Sequence, residues 1–286
     1  MESRTFDWPT GHRRYRLHGT HRGRGSSRPL VVMLHGTGGS AEFAADETRW
    51  AACADEHNFL VAFPDGLPVD PSLPPSFLTN PKRWNDGSTR PGDPFHSDVD
   101  DVSFIQAVID DALEHGPGDD QRVYLTGFSN GASMAFRFAA ERPGEIAAVA
   151  PVAGYCHVSP ASVNPLVPTL YVIGSEDRLL PLAGGPVRLP WGGRVVERPT
   201  IDGTLAKWAT ALGCEASPQV VSDADGVKEE RFAGPVEFTK LTVDGLGHHW
   251  PGGKGMFNPR IAGPTSDRLN GCERVWQFFA RHSRPG

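Results

Sequence analysis

Four stretches of this chain are apolar almost without a break: residues 30–34 (Leu-Val-Val-Met-Leu), 59–63 (Phe-Leu-Val-Ala-Phe), 147–152 (Ala-Ala-Val-Ala-Pro-Val) and 169–173 (Thr-Leu-Tyr-Val-Ile). Short continuous apolar runs are the signature of strands buried on both faces, as in parallel sheets. Residues 122–126 (Arg-Val-Tyr-Leu-Thr) read as a fifth strand and residues 15–18 as a first, outer one. Residues 237–243 alternate, which places that strand nearer an edge. Between them the period changes. Residues 100–114 carry Val102, Ile105, Ile109 and Leu113 along one stripe, and residues 269–282 carry Cys272, Val275, Trp276 and Phe279. Both predict helices with one buried face. Residues 46–56, 132–142 and 205–212 complete the helical set. Residues 19–28, 67–94 and 180–199 are rich in Gly, Pro, Arg or Ser and read as irregular.

Strands alternating with helices specify an α/β fold, a mostly parallel sheet covered by helices on both faces. No repeat or linker interrupts the pattern, so residues 1–286 read as one catalytic domain. In such sheets ligands bind beyond the carboxyl ends of the strands. That rule selects the residues with chemistry to offer.

The strand at 122–126 runs into Gly127-Phe128-Ser129-Asn130-Gly131, and a helix follows at once. Gly-x-Ser-x-Gly at a strand-to-helix junction is the nucleophile elbow of the α/β-hydrolase fold. The turn is tight, so glycines flank the serine, and the helix N-terminus favours negative charge beside its hydroxyl. A serine hydroxyl needs an imidazole to take its proton and a carboxylate to orient that imidazole. Asp177 lies four residues past one strand, with Glu176 as a rival acid; His248 and His249 follow the last strand. Spacing alone does not choose between the two histidines. The order Ser…Asp…His is that of the α/β-hydrolases. His35-Gly36-Thr37-Gly38-Gly39 follows residues 30–34, where a backbone N–H of that loop can join that of Asn130 as an oxyanion donor.

Charge narrows the partner. The net charge is −6 and the basic residues are dispersed, which argues against a nucleic-acid ligand. No apolar run reaches membrane-spanning length, so no membrane partner is expected. Residues 1–15 hold no apolar h-region, hence no signal peptide is expected within them; a trimmed secreted chain would read the same. Cys53, Cys156, Cys214 and Cys272 are scattered without metal-ligand spacing, and Cys53 and Cys272 suit buried free thiols.

Six motifs then occur in one order: Leu34-His35-Gly36, Trp84-Asn85-Asp86-Gly87, Asp98-Val99-Asp100-Asp101-Val102, the elbow, Gly174-x-x-Asp177-x-x-x-Pro181-x-x-Gly184-Gly185, and Gly247-His248-x-Trp250-Pro251-Gly252. Together they resemble the polyhydroxybutyrate depolymerase-like esterases, which include bacterial feruloyl esterases related to carbohydrate esterase family 1. The similarity runs from about Tyr15 to Phe279. The resemblance implies a serine carboxylesterase acting without metal or cofactor. It implies a triad at Ser129, Asp177 and His248, with oxyanion donors at Thr37 and Asn130. Trp84 and Trp250 are candidates for a flat substrate wall, or for core packing. The expected partner is a small-molecule or oligomeric ester. Because the hydrolase occupies the whole chain and leaves no polymer-binding module, a hydroxycinnamoyl (feruloyl-type) ester is expected ahead of a polyhydroxybutyrate-type polyester. A non-catalytic binding protein would show a broken triad position, and none is broken. Two departures stand out. Ala132-Ser133-Met134 replaces the usual Gly-Met-Met after the elbow. Phe232-Ala233-Gly234-Pro235 offers Cys214 none of the cysteine that many secreted members place there.

Overall fold

A computed structural model describes residues 1–9, 11–20, 27–88, 99–159, 161–190 and 193–284. Asp98 and parts of the loops expected at residues 19–28, 67–94 and 180–199 lie outside these. The apolar runs build the centre of a ten-stranded sheet. In chain order its strands are β1 (Glu2–Trp8), β2 (Gly11–His18), β3 (Arg28–Leu34), β4 (Leu60–Pro64), β5 (Gly118–Phe128), β6 (Ala148–Val152), β7 (Thr169–Gly174), β8 (Gln219–Ala224), β9 (Val227–Phe232) and β10 (Phe238–Val243). Their spatial order is β1-β2-β4-β3-β5-β6-β7-β10-β9-β8. The stretch from β4 to β10 is parallel throughout. An antiparallel hairpin closes each edge, β1–β2 on one side and β8–β9 on the other.

Side chains alternate across each strand. Leu30, Val32 and Leu34 therefore enter one core, and Val31 and Met33 the other. The first core is covered by α3 (Asp101–His115), α4 (Asn130–Glu141) and α5 (Ile201–Ala211). The second is covered by α1 (Ala41–Thr48), α2 (Trp50–His57) and α7 (Gly271–Phe279). This is the α/β-hydrolase arrangement, with both faces of the sheet buried.

The structure corrects four details. The helix expected at residues 46–56 is two helices, α1 and α2, broken at Arg49, whose φ of 62° takes the left-handed region. The strand expected near an edge, β10, lies inside the sheet beside β7. Its polar Lys240 is buried but ion-paired with Glu230 at 3.0 Å and Asp202 at 2.7 Å. The true edge there is the β8–β9 hairpin, whose exposed β8 gave no hydrophobic signal. Its turn did give one: Asp225-Gly226, both with positive φ, is a strong hairpin signature. Finally, residues 180–199 contain a two-stranded ribbon, Gly185–Arg188 paired with Val195–Arg198. All four cysteines are free and buried. A Cβ at Gly234 would stand 2.4 Å from Cys214 Sγ.

Candidate active site

Four parallel strands end at one place, and each contributes a loop. The loop after β5 is the elbow. Ser129 has φ 56° and ψ −118°, a strained conformation for a residue with a side chain. It stands at the N-cap of α4, and its backbone N–H donates to Val152 O on β6 at 2.9 Å. The flanking glycines are required by contact. A Cβ on Gly127 would lie 2.4 Å from Gly131 O, and one on Gly131 would lie 2.3 Å from Leu34 O. The elbow is thus pressed against the end of β3.

The loops after β7 and β10 are joined to each other. Glu176 N–H donates to Leu246 O at 2.9 Å, Gly245 N–H donates to Ser175 Oγ at 2.9 Å, and Gly174 lies so close to Leu246 that a Cβ would meet its carbonyl at 1.9 Å. Behind them stands the short helix α6 (Pro259–Ala262), whose Ala262 O accepts from His248 N at 2.6 Å. Gly247 is needed here because a side chain would strike Ala262 O at 2.4 Å; its φ is ordinary, so turning freedom is not its role.

This framework brings Asp177, His248 and Ser129 into line. Asp177 Oδ2 and His248 Nδ1 are 2.7 Å apart, and His248 Nε2 and Ser129 Oγ are 2.9 Å apart. A carboxylate can only accept, so Nδ1 carries the imidazole proton and Nε2 is free to accept from the serine hydroxyl. The other oxygen of Asp177 accepts from the backbone N–H groups of Leu179 (2.9 Å) and Leu180 (2.7 Å), fixing the carboxylate. Asp177 and His248 are buried. Glu176 points to solvent. His249 is buried and faces the other way, its Nε2 donating to Gly263 O at 3.0 Å. Burial lowers its pKa.

Thr37 and Asn130 line the same cavity as Ser129. Among the described residues neither backbone N–H meets an acceptor. The Asn130 side chain is held on both ends: Nδ2 donates to Asp86 Oδ2 at 2.7 Å and to Trp84 O at 3.1 Å, while Oδ1 accepts from Trp84 N at 2.7 Å. The Thr37 loop is fixed by His35. Its Nε2 accepts from Gly66 N at 3.0 Å and its Nδ1 donates to Gly36 O at 2.8 Å.

Trp84 and Trp250 are 0% and 2% exposed and lie in the core. Trp84 Nε1 donates to His35 O at 2.8 Å, and Trp250 packs on Trp50. The cavity wall is made instead by Asp86, Tyr155, His157, Leu179, Leu189 and Arg198, among others, around a space of about 40 Å³ that opens to solvent. Sequence reasoning missed Tyr155 and Arg198, whose segments lack periodicity. Asp86 was legible as part of Trp84-Asn85-Asp86-Gly87, but not its grip on Asn130. Cys53, His57 and Glu273 are the one group of three metal-ligand types within 4.8 Å of one another among the described residues. His57 and Glu273 already pair at 2.7 Å, and burial pushes the Cys53 thiol up to about 12. No helix among the described residues is long and apolar enough to cross a membrane.

Residues 17–166 match the protein family described as Esterase PHB depolymerase. NocK of Nocardia uniformis subsp. tsuyamanensis, which bears an esterase's name, is 32% identical over 93% of this chain and 79% of its own. Feruloyl esterase B of Thermothelomyces thermophilus is 24% identical over 77% of this chain and 78% of its own. Among solved structures, the acetyl xylan esterase from Aspergillus awamori superimposes with a TM-score of 0.59, covering 98% of this chain and 99% of that one. At 14% identity, that likeness shows the fold alone.

Proposed function

This chain belongs to the esterase family of the PHB depolymerases, and we propose on that footing that it cleaves carboxylic esters through an acyl-enzyme formed at Ser129. That it is an esterase-type hydrolase follows from the family; the residues that do the work are our reading. The observation that carries it is the hydrogen-bonded line from Ser129 Oγ through His248 to Asp177. His248 Nε2 takes the serine proton as Oγ attacks the ester carbonyl. Asp177 holds the tautomer and balances the imidazolium. The carbonyl oxygen becomes an oxyanion, received by the N–H groups of Thr37 and Asn130. His248 then gives its proton to the departing alcohol. Water repeats the cycle and releases the acid.

For the acyl group we propose a hydroxycinnamoyl (feruloyl-type) ester first and a hydroxybutyrate-type polyester second. The kinship with feruloyl esterase B and the Tyr155 ring on the cavity wall support this order. The test compares release of ferulate from methyl ferulate with clearing of a polyhydroxybutyrate suspension. Ferulate release without clearing is expected; clearing without ferulate release would reverse the order.

A further inference from the structure

The cavity that holds Ser129 has a cation in its wall. Arg198 ends the Val195–Arg198 strand, and its backbone is pinned there: it pairs with Gly185, and a Cβ on Gly184 would lie 2.6 Å from Arg198 O. The guanidinium lies over the Tyr155 ring, 5.5 Å from its centroid. Tyr155 is itself fixed, its N–H donating to Ser133 Oγ at 3.0 Å on the helix that follows the elbow. Arg198 Nε is buried and has no partner among the described residues. The residue as a whole is half-buried, and a polar atom withdrawn from water costs free energy until something pairs with it.

The carboxylates in reach are engaged elsewhere. Asp177 spends one oxygen on His248 and the other on two backbone N–H groups. Asp86 accepts from Asn130 Nδ2 and from the N–H and hydroxyl of Ser88, and no ion pair joins it to Arg198 among the described residues. Burial works against the guanidinium charge, and Tyr155, Asp177 and Asp86 offset it only in part. An arginine fork in a half-buried wall matches a carboxylate two hydrogen bonds at a time. Leu179, Leu180 and Leu189 give the same cavity an apolar lining.

We propose that Arg198 forms a subsite for an anionic group of the substrate, so that the preferred esters carry a carboxylate on the acyl or the alcohol side. This rests on Ser129 being the nucleophile, and the experiment separates the two. Two matched pairs are hydrolysed by wild type: monoethyl adipate against diethyl adipate for the acyl side, and 3-acetoxybutyrate against its methyl ester for the alcohol side. In at least one pair the anion should have the higher kcat/KM, by about 10- to 100-fold, the range of a charge-assisted hydrogen bond. Arg198→Gln should bring that ratio near one, and Arg198→Lys should keep part of it, with melting temperatures showing that both variants fold. Equal kcat/KM within both pairs for wild type overturns the subsite, as does an Arg198→Gln variant that keeps the wild-type ratio. If wild type hydrolyses neither neutral ester and a fluorophosphonate does not label Ser129, the reading of the site falls, and the subsite with it.

Discussion

Acid should loosen the oxyanion side of the site through His35. This ring is buried beside Trp84, one nitrogen donating to Gly36 O and the other accepting from Gly66 N–H. A second proton would cost that acceptor and create an enclosed cation. Burial holds the pKa at about 4, against an ordinary 6.5, even though Asp65 nearby favours the charged form. As pH falls through about 6.5 the unfolded chain takes up the proton, but the folded chain does not until about 4. Stability contributed by neutral His35 is therefore complete above about pH 7 and lost progressively down to about pH 4. At 1.36 kcal/mol per pH unit the loss is about 3 kcal/mol. Urea unfolding of wild type and His35→Asn, measured in steps between those limits, isolates the effect, since every other titrating group is common to both. Wild type should lose about 3 kcal/mol more than the variant across the range. Parallel stability curves would refute the reasoning.

Asp177→Asn should lower kcat by up to about 10⁴-fold by favouring the wrong imidazole tautomer, whereas Glu176→Gln, on an exposed side chain, should change little; initial rates on one soluble ester decide it, and the reverse pattern moves the acid. His248→Ala should be as inactive as Ser129→Ala, and combining them should add almost nothing, because they act as one unit. His249→Ala should keep most of the ester turnover at about pH 8 yet melt at a lower temperature, since its ring ties the loop after β10 to Gly263. Gly131→Ala should destabilise by about 3 kcal/mol or more, because its Cβ would meet the carbonyls of both Leu34 and His35; a variant with wild-type urea midpoint would mean that the elbow and the end of β3 can separate.

How much of this was legible follows from where the side chains point. Strands β3, β4, β6 and β7 are buried on both faces, so past Arg28 and Thr169 at their starts their sequences are apolar and announce themselves. The edge hairpins bury one face or none. Strand β1 shows only Phe6 and Trp8 on its inner side, against Tyr15 and Phe104, and β8 shows nothing. Arg49 is a side-chain residue in a left-handed turn, which no period reveals. In the candidate site, the residues on strand-end loops were readable because the fold dictates where such loops converge. The cavity wall was not. Tyr155 and His157 come from an irregular segment and Arg198 from the end of a short ribbon strand, and they meet only in three dimensions, while Trp84 and Trp250, conspicuous in the sequence, are drawn into the core by their size.

The central claim is that Ser129 is the nucleophile. Treating the folded wild-type protein with a fluorophosphonate and following intact mass alongside ester hydrolysis tests it directly. One adduct per chain should form as activity disappears, and tryptic mapping should find it on Ser129 within residues 123–137. Ser129→Ala should take up no label and show no turnover. Inactivation with the adduct on another residue, or an Ser129→Ala protein that still hydrolyses the ester at a tenth of the wild-type rate or more, would contradict it.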